Sequence, residues 1–93
     1  MMMKYTYGVV TCFIIYLFVS CGSAEKSIKR GNSAREIGEY AEAAALYKKA
    51  YSRISPKDRS LRGEVAYKMA DSYRLYGNYA RSLGAYRNAA RYA

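Results

Sequence analysis

Side chains able to carry chemistry are sparse in this chain. There is no His, and the two Cys, at positions 12 and 21, are too few and too close to frame a zinc site. Without His, the usual general base and the commonest metal ligand are both missing. The paired acids Glu39 and Glu42 fall on a surface helix turn, and no Gly-rich phosphate loop occurs. Enzymatic turnover, a metal and a cofactor are therefore not expected, and no catalytic residue is assigned. What remains is charge: 16 Lys and Arg against 7 Asp and Glu, a net +9, interleaved with twelve Tyr. Two cationic pairs recur in register, Arg35 with Arg74 and Lys29 with Lys68, each 39 residues apart. Paired guanidinium groups suit a carboxylate or acidic segment of a partner; alternatively both are solvated and paired to neighbouring acids. Glu25 with Lys29, and Glu64 with Lys68, sit four apart in the favourable order and read equally as intrahelical pairs of about 0.2–0.5 kcal/mol.

The elements that must position these groups begin after an export signal. Lys4 is followed by the continuous apolar run Val9 to Val19, too short for a membrane-spanning helix of roughly 20 residues. A short positive segment, such a run, and then Ser20-Cys21-Gly22-Ser23 form the layout of a cleavable secretory signal over residues 1–20. From Gly22 onward the chain carries a net +8, since Lys4 is the only charged residue before it.

Leu17-Phe18-Val19-Ser20-Cys21 resembles the lipobox of bacterial lipoproteins, with Phe18 where Leu is most usual. That resemblance implies acylation of Cys21 as the new first residue and a short lipidated linker over 21–23. Stable anchoring takes more than one acyl chain, at about 0.8 kcal/mol per buried methylene. The alternative is an ordinary signal cut near Ser20 or Ser23, leaving Cys21 as a free thiol or removing it. In the lipoprotein reading Cys12 is discarded with the signal and no thiol is left for a disulfide. Gly22-Ser23-Ala24-Glu25-Lys26 lacks the acidic cluster that resembles a surface-export tag in Bacteroidota lipoproteins, which favours the periplasmic face of an outer membrane.

Beyond the signal the chain repeats itself. Gly38-Glu-Tyr40-Ala-Glu-Ala43-Ala-Ala-Leu-Tyr47-Lys-Lys-Ala50 aligns with Gly77-Asn-Tyr79-Ala-Arg-Ser82-Leu-Gly-Ala-Tyr86-Arg-Asn-Ala89 at an offset of 39. Leu61, Val65, Met69, Tyr73 and Tyr76 recur at three- and four-residue steps, which only a helix places on one face. Gly77-Asn78 ends that helix, and Tyr79, Leu83, Tyr86 and Ala90 begin another. Tyr40, Ala43, Ala44, Tyr47, Ala50, Tyr51 and Ile54 do the same after Gly38. Small residues, among them Gly31, Ala43, Ala50, Ala70, Ser82 and Ala89, permit close helix approach while Tyr47 and Tyr86 fill the adjoining space. In Ser55-Pro56-Lys57-Asp58, either Ser55 with Pro56 in the first turn or Asp58 itself caps the next helix. The expected fold is all-α, two helical hairpins.

Gly-x-Tyr-x-x-small-x-x-x-Tyr-x-x-Ala, present twice and preceded in the second copy by Met69-Ala70-x-x-Tyr73, resembles the tetratricopeptide repeat. The resemblance implies a short α-solenoid, with repeat 1 over 24–57 and repeat 2 over 58–93. Arg30 and Ala34 depart from the usual first helix, and the offset exceeds the usual repeat of roughly 34 residues by an insertion placed around Asp58 to Arg62. The final helix is expected to run through Ala93, leaving repeat 2 C-terminally incomplete and its last helix in need of further repeats, a homodimer or a partner. In this family the first helices line a concave groove; the matching positions are Ile28, Asn32 and Arg35 in one copy, Tyr67, Asp71 and Arg74 in the other. Ile28 and Tyr67 occupy sites where the chaperone-type carboxylate clamp needs Lys or Asn.

A lipobox followed by Tyr-rich repeats also looks like the start of Bacteroidota OmpA-family lipoproteins, including the PorE-like members tied to type IX secretion. The β-propeller and peptidoglycan-binding domains of those proteins have no counterpart in this sequence. The expected function is a membrane-anchored interaction scaffold in the bacterial envelope, part of a secretion or peptidoglycan-anchoring assembly. The alternative is a basic module binding an envelope polymer or anionic lipid, with affinity falling steeply with salt. Export argues against nucleic acid, and the Tyr residues are expected in the core rather than as a stacking platform.

Overall fold

The computed structural model describes residues 24–93, which form helices joined by short turns: α1 over 24–36, α2 (Tyr40–Arg53), α3 (Arg59–Tyr76) and α4 (Tyr79–Ala90). No strand occurs among the described residues, so the fold class is all-α. The signal segment 1–20, the linker 21–23 and Cys21 lie outside the described residues.

The turns show why the helices end where they do. Gly38 and Gly77 both have positive φ, 82° and 95°, a left-handed conformation that glycine adopts without a Cβ penalty. The hydrogen bonds repeat at the sequence offset: Gly38 N–H donates to Arg35 O and Glu39 N–H to Ala34 O, as Gly77 N–H donates to Arg74 O and Asn78 N–H to Tyr73 O. The two starts differ. Asn78 accepts from Arg81 N–H and caps α4, while Glu39 makes no side-chain cap on α2. Between the hairpins Asp58 is the cap of α3, accepting from Leu61 N–H. Ser55 instead closes a turn over Pro56 and Lys57, with Asp58 N–H donating to Ser55 O at 3.0 Å. Residues 59–62, where the sequence register shifts, form the first turn of α3.

Helix directions follow from the contacts. Ser82 of α4 meets Ala70 of α3, and Arg91, beyond α4, meets Arg59 at the start of α3, so these two helices are antiparallel. Asn32 meets Lys68 and Arg35 meets Asp71, both at a separation of 36 residues, so α1 and α3 lie side by side and parallel. The core between them is built largely from alanines, with Val65, Met69, Ile54, Tyr73 and a fully buried Tyr47 as its larger members. Tyr47 fits because Gly31 faces it: a Cβ at Gly31 would come within 2.8 Å of the ring.

Part of the apolar stripe read from the sequence is not buried. Tyr76, Tyr79 and Leu83 are 55%, 71% and 54% exposed. Helix α4 has α3 on one side only, so Ser82 and Ala85 are covered and Tyr86 is half-buried against the core, while Tyr79 and Leu83 face outward. The last helix also ends at Ala90 instead of running through Ala93. There Tyr92 turns back onto α3: its hydroxyl lies 3.1 Å from that of Tyr51, and its Cβ would be 2.8 Å from a Cβ on Gly63. Arg62 lies over the Tyr51 ring at 4.4 Å and Arg59 over the Tyr92 ring at 5.2 Å. Among the described residues no helix is long and apolar enough to cross a membrane.

Two glycine substitutions should have opposite signs. Gly31→Ala forces a methyl into the Tyr47 ring and is expected to cost about 1–3 kcal/mol. Gly84→Ala, inside α4 with nothing within 4 Å of the added carbon, is expected to gain about 0.5–1 kcal/mol from helix propensity alone. Urea unfolding followed by circular dichroism measures both; equal effects would refute the Gly31–Tyr47 fit.

Candidate functional site

The parallel placement of α1 and α3 gathers most of the residues expected to line a groove. Asp71, with its side chain only 10% exposed, receives Arg35 Nη2 on Oδ2 and Arg74 Nη2 on Oδ1, both at 2.7 Å. Tyr86 donates to the same Oδ1 at 3.4 Å. One carboxylate therefore joins α1, α3 and α4. Its hydrogen bond, reinforced by Tyr86 and by its charge, holds the Arg74 guanidinium yet more firmly protonated. Both guanidinium groups are paired to an acid, the second of the two roles open to them from the sequence, and each still presents unused N–H donors at a partly exposed side chain.

One turn along, Asn32 Oδ1 accepts from the Tyr47 hydroxyl and from Lys68 Nζ at 3.3 Å. Lys68 also pairs with Glu64 at 3.6 Å, and Lys29 with Glu25 at the same distance, as their four-residue spacing predicts. Ile28 is half-buried against the core and does not join the polar cluster. Tyr67 is exposed and packs edge to face on Tyr86, ring centroids 5.8 Å apart. It stands at the rim of a recess of about 450 Å³ between the start of α3 and the end of α4, walled by Gly63, Tyr86 and Tyr92.

Several participants were not singled out as site residues from the sequence. The hydroxyls of Tyr47 and Tyr86 reach Asn32 and Asp71 from neighbouring helices, and no linear spacing reports such a contact. A second feature was visible but unread: no acid occurs in 43–57 or in 72–93. Those stretches supply Lys48, Lys49 and Arg81 to another recess, between α2 and α4. The acid pair Glu39 and Glu42 sits at the exposed start of α2, where the hydrogen bond and charge of Glu42 push the Glu39 carboxyl above its ordinary value. Among the described residues no group of three or more His, Cys, Asp or Glu is placed to hold a metal ion.

Burial pushes the Tyr47 phenol above its ordinary value near 10, against the nearby Arg35 guanidinium, which pulls it down. Burial and the Tyr92 hydrogen bond act in the same direction on Tyr51. In the folded chain these phenols keep their protons to higher pH than in the unfolded chain. Their contribution is therefore complete below the unfolded value and declines as pH rises from about 10 through the folded value. Tyr47→Phe should cost about 1 kcal/mol near neutrality by removing the bond to Asn32 and should shallow the alkaline decline relative to the parent; urea midpoints measured across pH test both. Asp71→Asn should lower the thermal midpoint more than Arg74→Gln, since the first leaves both guanidinium groups without a counter-charge and the second leaves Asp71 paired with Arg35. The reverse order would show that the triad does not hold the helices together.

Comparison with protein families, with curated proteins and with solved structures returns no match for this chain.

Proposed function

We propose that this chain is a tetratricopeptide-type interaction scaffold of the bacterial envelope, tethered by acylated Cys21 and recruiting a protein partner along the face formed by α1 and α3. The observation that carries this reading is the parallel, side-by-side packing of the two repeat-equivalent helices, with Arg35 joined to Asp71 and Asn32 to Lys68 across their seam and Arg74 held on the same Asp71. Rigid helix faces that present fixed polar groups beside an exposed Tyr suit recognition of an extended segment. The two guanidinium groups on one carboxylate leave a local excess of one positive charge, so a partner carboxylate is favoured there. Asp71 serves as the positioning group, holding both forks at fixed places on the seam.

The reading extends to the end of the array. Gly63, Tyr67, Tyr86 and Ala89 correspond, at the offset of 39, to Ala24, Ile28, Tyr47 and Ala50, which belong to the packed core region of the first hairpin. Their counterparts in the second hairpin border an open recess. Further repeats or a second copy would cover it, as neighbouring units do in repeat arrays.

Two measurements test the proposal. The intact mass of the native protein from detergent-extracted membranes should show loss of residues 1–20 and added acyl groups, and Cys21→Ser should abolish them; an unacylated soluble product would remove the membrane tether. A photo-crosslinking residue at position 67 should trap a defined envelope protein, and Arg35→Ala with Arg74→Ala should weaken that capture by about tenfold or more, as for truncated charge-assisted contacts. Capture unchanged by the double substitution would overturn the groove.

A further inference from the structure

We propose a second docking site, independent of the α1–α3 face: the recess between α2 and α4 takes an acidic peptide segment of another protein. The recess, about 610 Å³, is lined by Lys48 and Lys49 from α2 and by Arg81 from α4, with Tyr73 and Tyr76 contributing aromatic surface and Ala45 leaving room between the helices. No acid is among its lining residues. Among the described residues only Lys29, Arg35, Lys68 and Arg74 pair with acids, so Lys48, Lys49 and Arg81 share with most of the cations the lack of an ion pair; what sets these three apart is that they line one recess. Arg81 lies over the Tyr73 ring, 6.0 Å from its centroid, a contact that orients the guanidinium without neutralising it.

Backbone electrostatics add to the same sign. The amino end of α4 opens beside the recess at Asn78, and its first turn contains no acidic residue to offset the positive end of the helix dipole. Three unneutralised cations and a helix amino end converging on one recess make a locally positive site that only an anionic ligand complements. The shape selects among anions. The volume far exceeds one phosphate and has room for a few side chains, and its walls come from α2, α3 and α4 with cations on the first and last of these, so an extended peptide can reach both sets of cations at once. Tyr76, more than half exposed, offers ring surface for an apolar or aromatic residue beside the acids. The ligand chemistry is therefore a peptide with two or more carboxylates next to a ring or aliphatic side chain.

The test uses the full chain in a neutral detergent and a fluorescein-labelled peptide of alternating Glu and Tyr, with a Gln and Tyr peptide as the uncharged counterpart, read by anisotropy. The Glu peptide should bind and the Gln peptide should not. Lys48→Glu with Lys49→Glu and Arg81→Glu should weaken binding by about tenfold or more, while Lys26→Glu with Arg30→Glu and Lys57→Glu, the same change in net charge on other exposed positions, should change it by no more than about twofold. Ala45→Trp, which fills the recess without altering charge, should also abolish binding, and circular dichroism checks that each variant is folded. Equal weakening by both charge sets would overturn the site in favour of net charge. Loss on Arg35→Ala with Arg74→Ala alone would place binding on the α1–α3 face instead. Preferential binding of short-chain phosphatidylglycerol micelles through Lys48, Lys49 and Arg81, or a dimer in sedimentation that the same substitutions dissolve, would replace the peptide by a lipid or a second copy and equally overturn it.

Discussion

The carboxylate of Asp71 is the point at which the helices are tied to one another. It reaches Arg35 on α1, Arg74 on its own helix and Tyr86 on α4. A carboxylate this deeply covered is costly to desolvate unless charges and donors surround it. Two guanidinium groups and a hydroxyl meet that need, and in doing so they set the mutual register of three helices. The adjoining Asn32 cluster repeats the arrangement in neutral form, with an amide oxygen holding Tyr47 from α2 and Lys68 from α3.

A core of alanines makes this polar seam necessary. Alanine lets helices approach closely but buries little apolar area per residue, so the hydrophobic contribution of a domain this size is modest. Tyr47 supplies much of the missing bulk, and its hydroxyl must then find a partner, which the seam provides. The use of Tyr in place of Phe or Leu at core positions and the presence of polar groups between the helices are thus one solution. The same economy accounts for Tyr92, which folds back over Gly63 and shares its hydroxyl with Tyr51.

Charge is sorted as well as counted. Four ion pairs engage acids along α1 and α3, while α4 and the second half of α2 have no acids at all. Among the described residues, cations without an ion-pair partner occur on all four helices, and those of α2 and α4 that meet at the recess have no acid among the residues lining it. One face of the molecule consequently offers positioned, partly neutralised guanidinium groups and the other offers cations with no ion-pair partner, two surfaces suited to different contacts on one small scaffold.

The helical class, the turns at Gly38 and Gly77, the burial of Val65, Met69 and Tyr47, and the i,i+4 pairs could all be read along the chain, because each depends on periodicity or on a local backbone requirement. A last helix in need of a covering neighbour is also expected from the sequence; that Tyr79 and Leu83 are the residues left outward while Tyr86 packs inward is not, since a stripe at helical spacing does not rank its own members. Asp58 prevailed over Ser55 as the cap because Pro56 and Lys57 close a turn that a linear reading leaves open. Arg35 and Arg74 could be paired in sequence by their common offset, but their convergence on a single Asp71 depends on how far α1 and α3 are displaced along each other. The contacts span 36 residues where the repeat spans 39, about one helical turn less. Local sequence sets helix length and apolar face; the relative displacement of the helices is a property of their packed side chains, and it is that displacement which assembles the site.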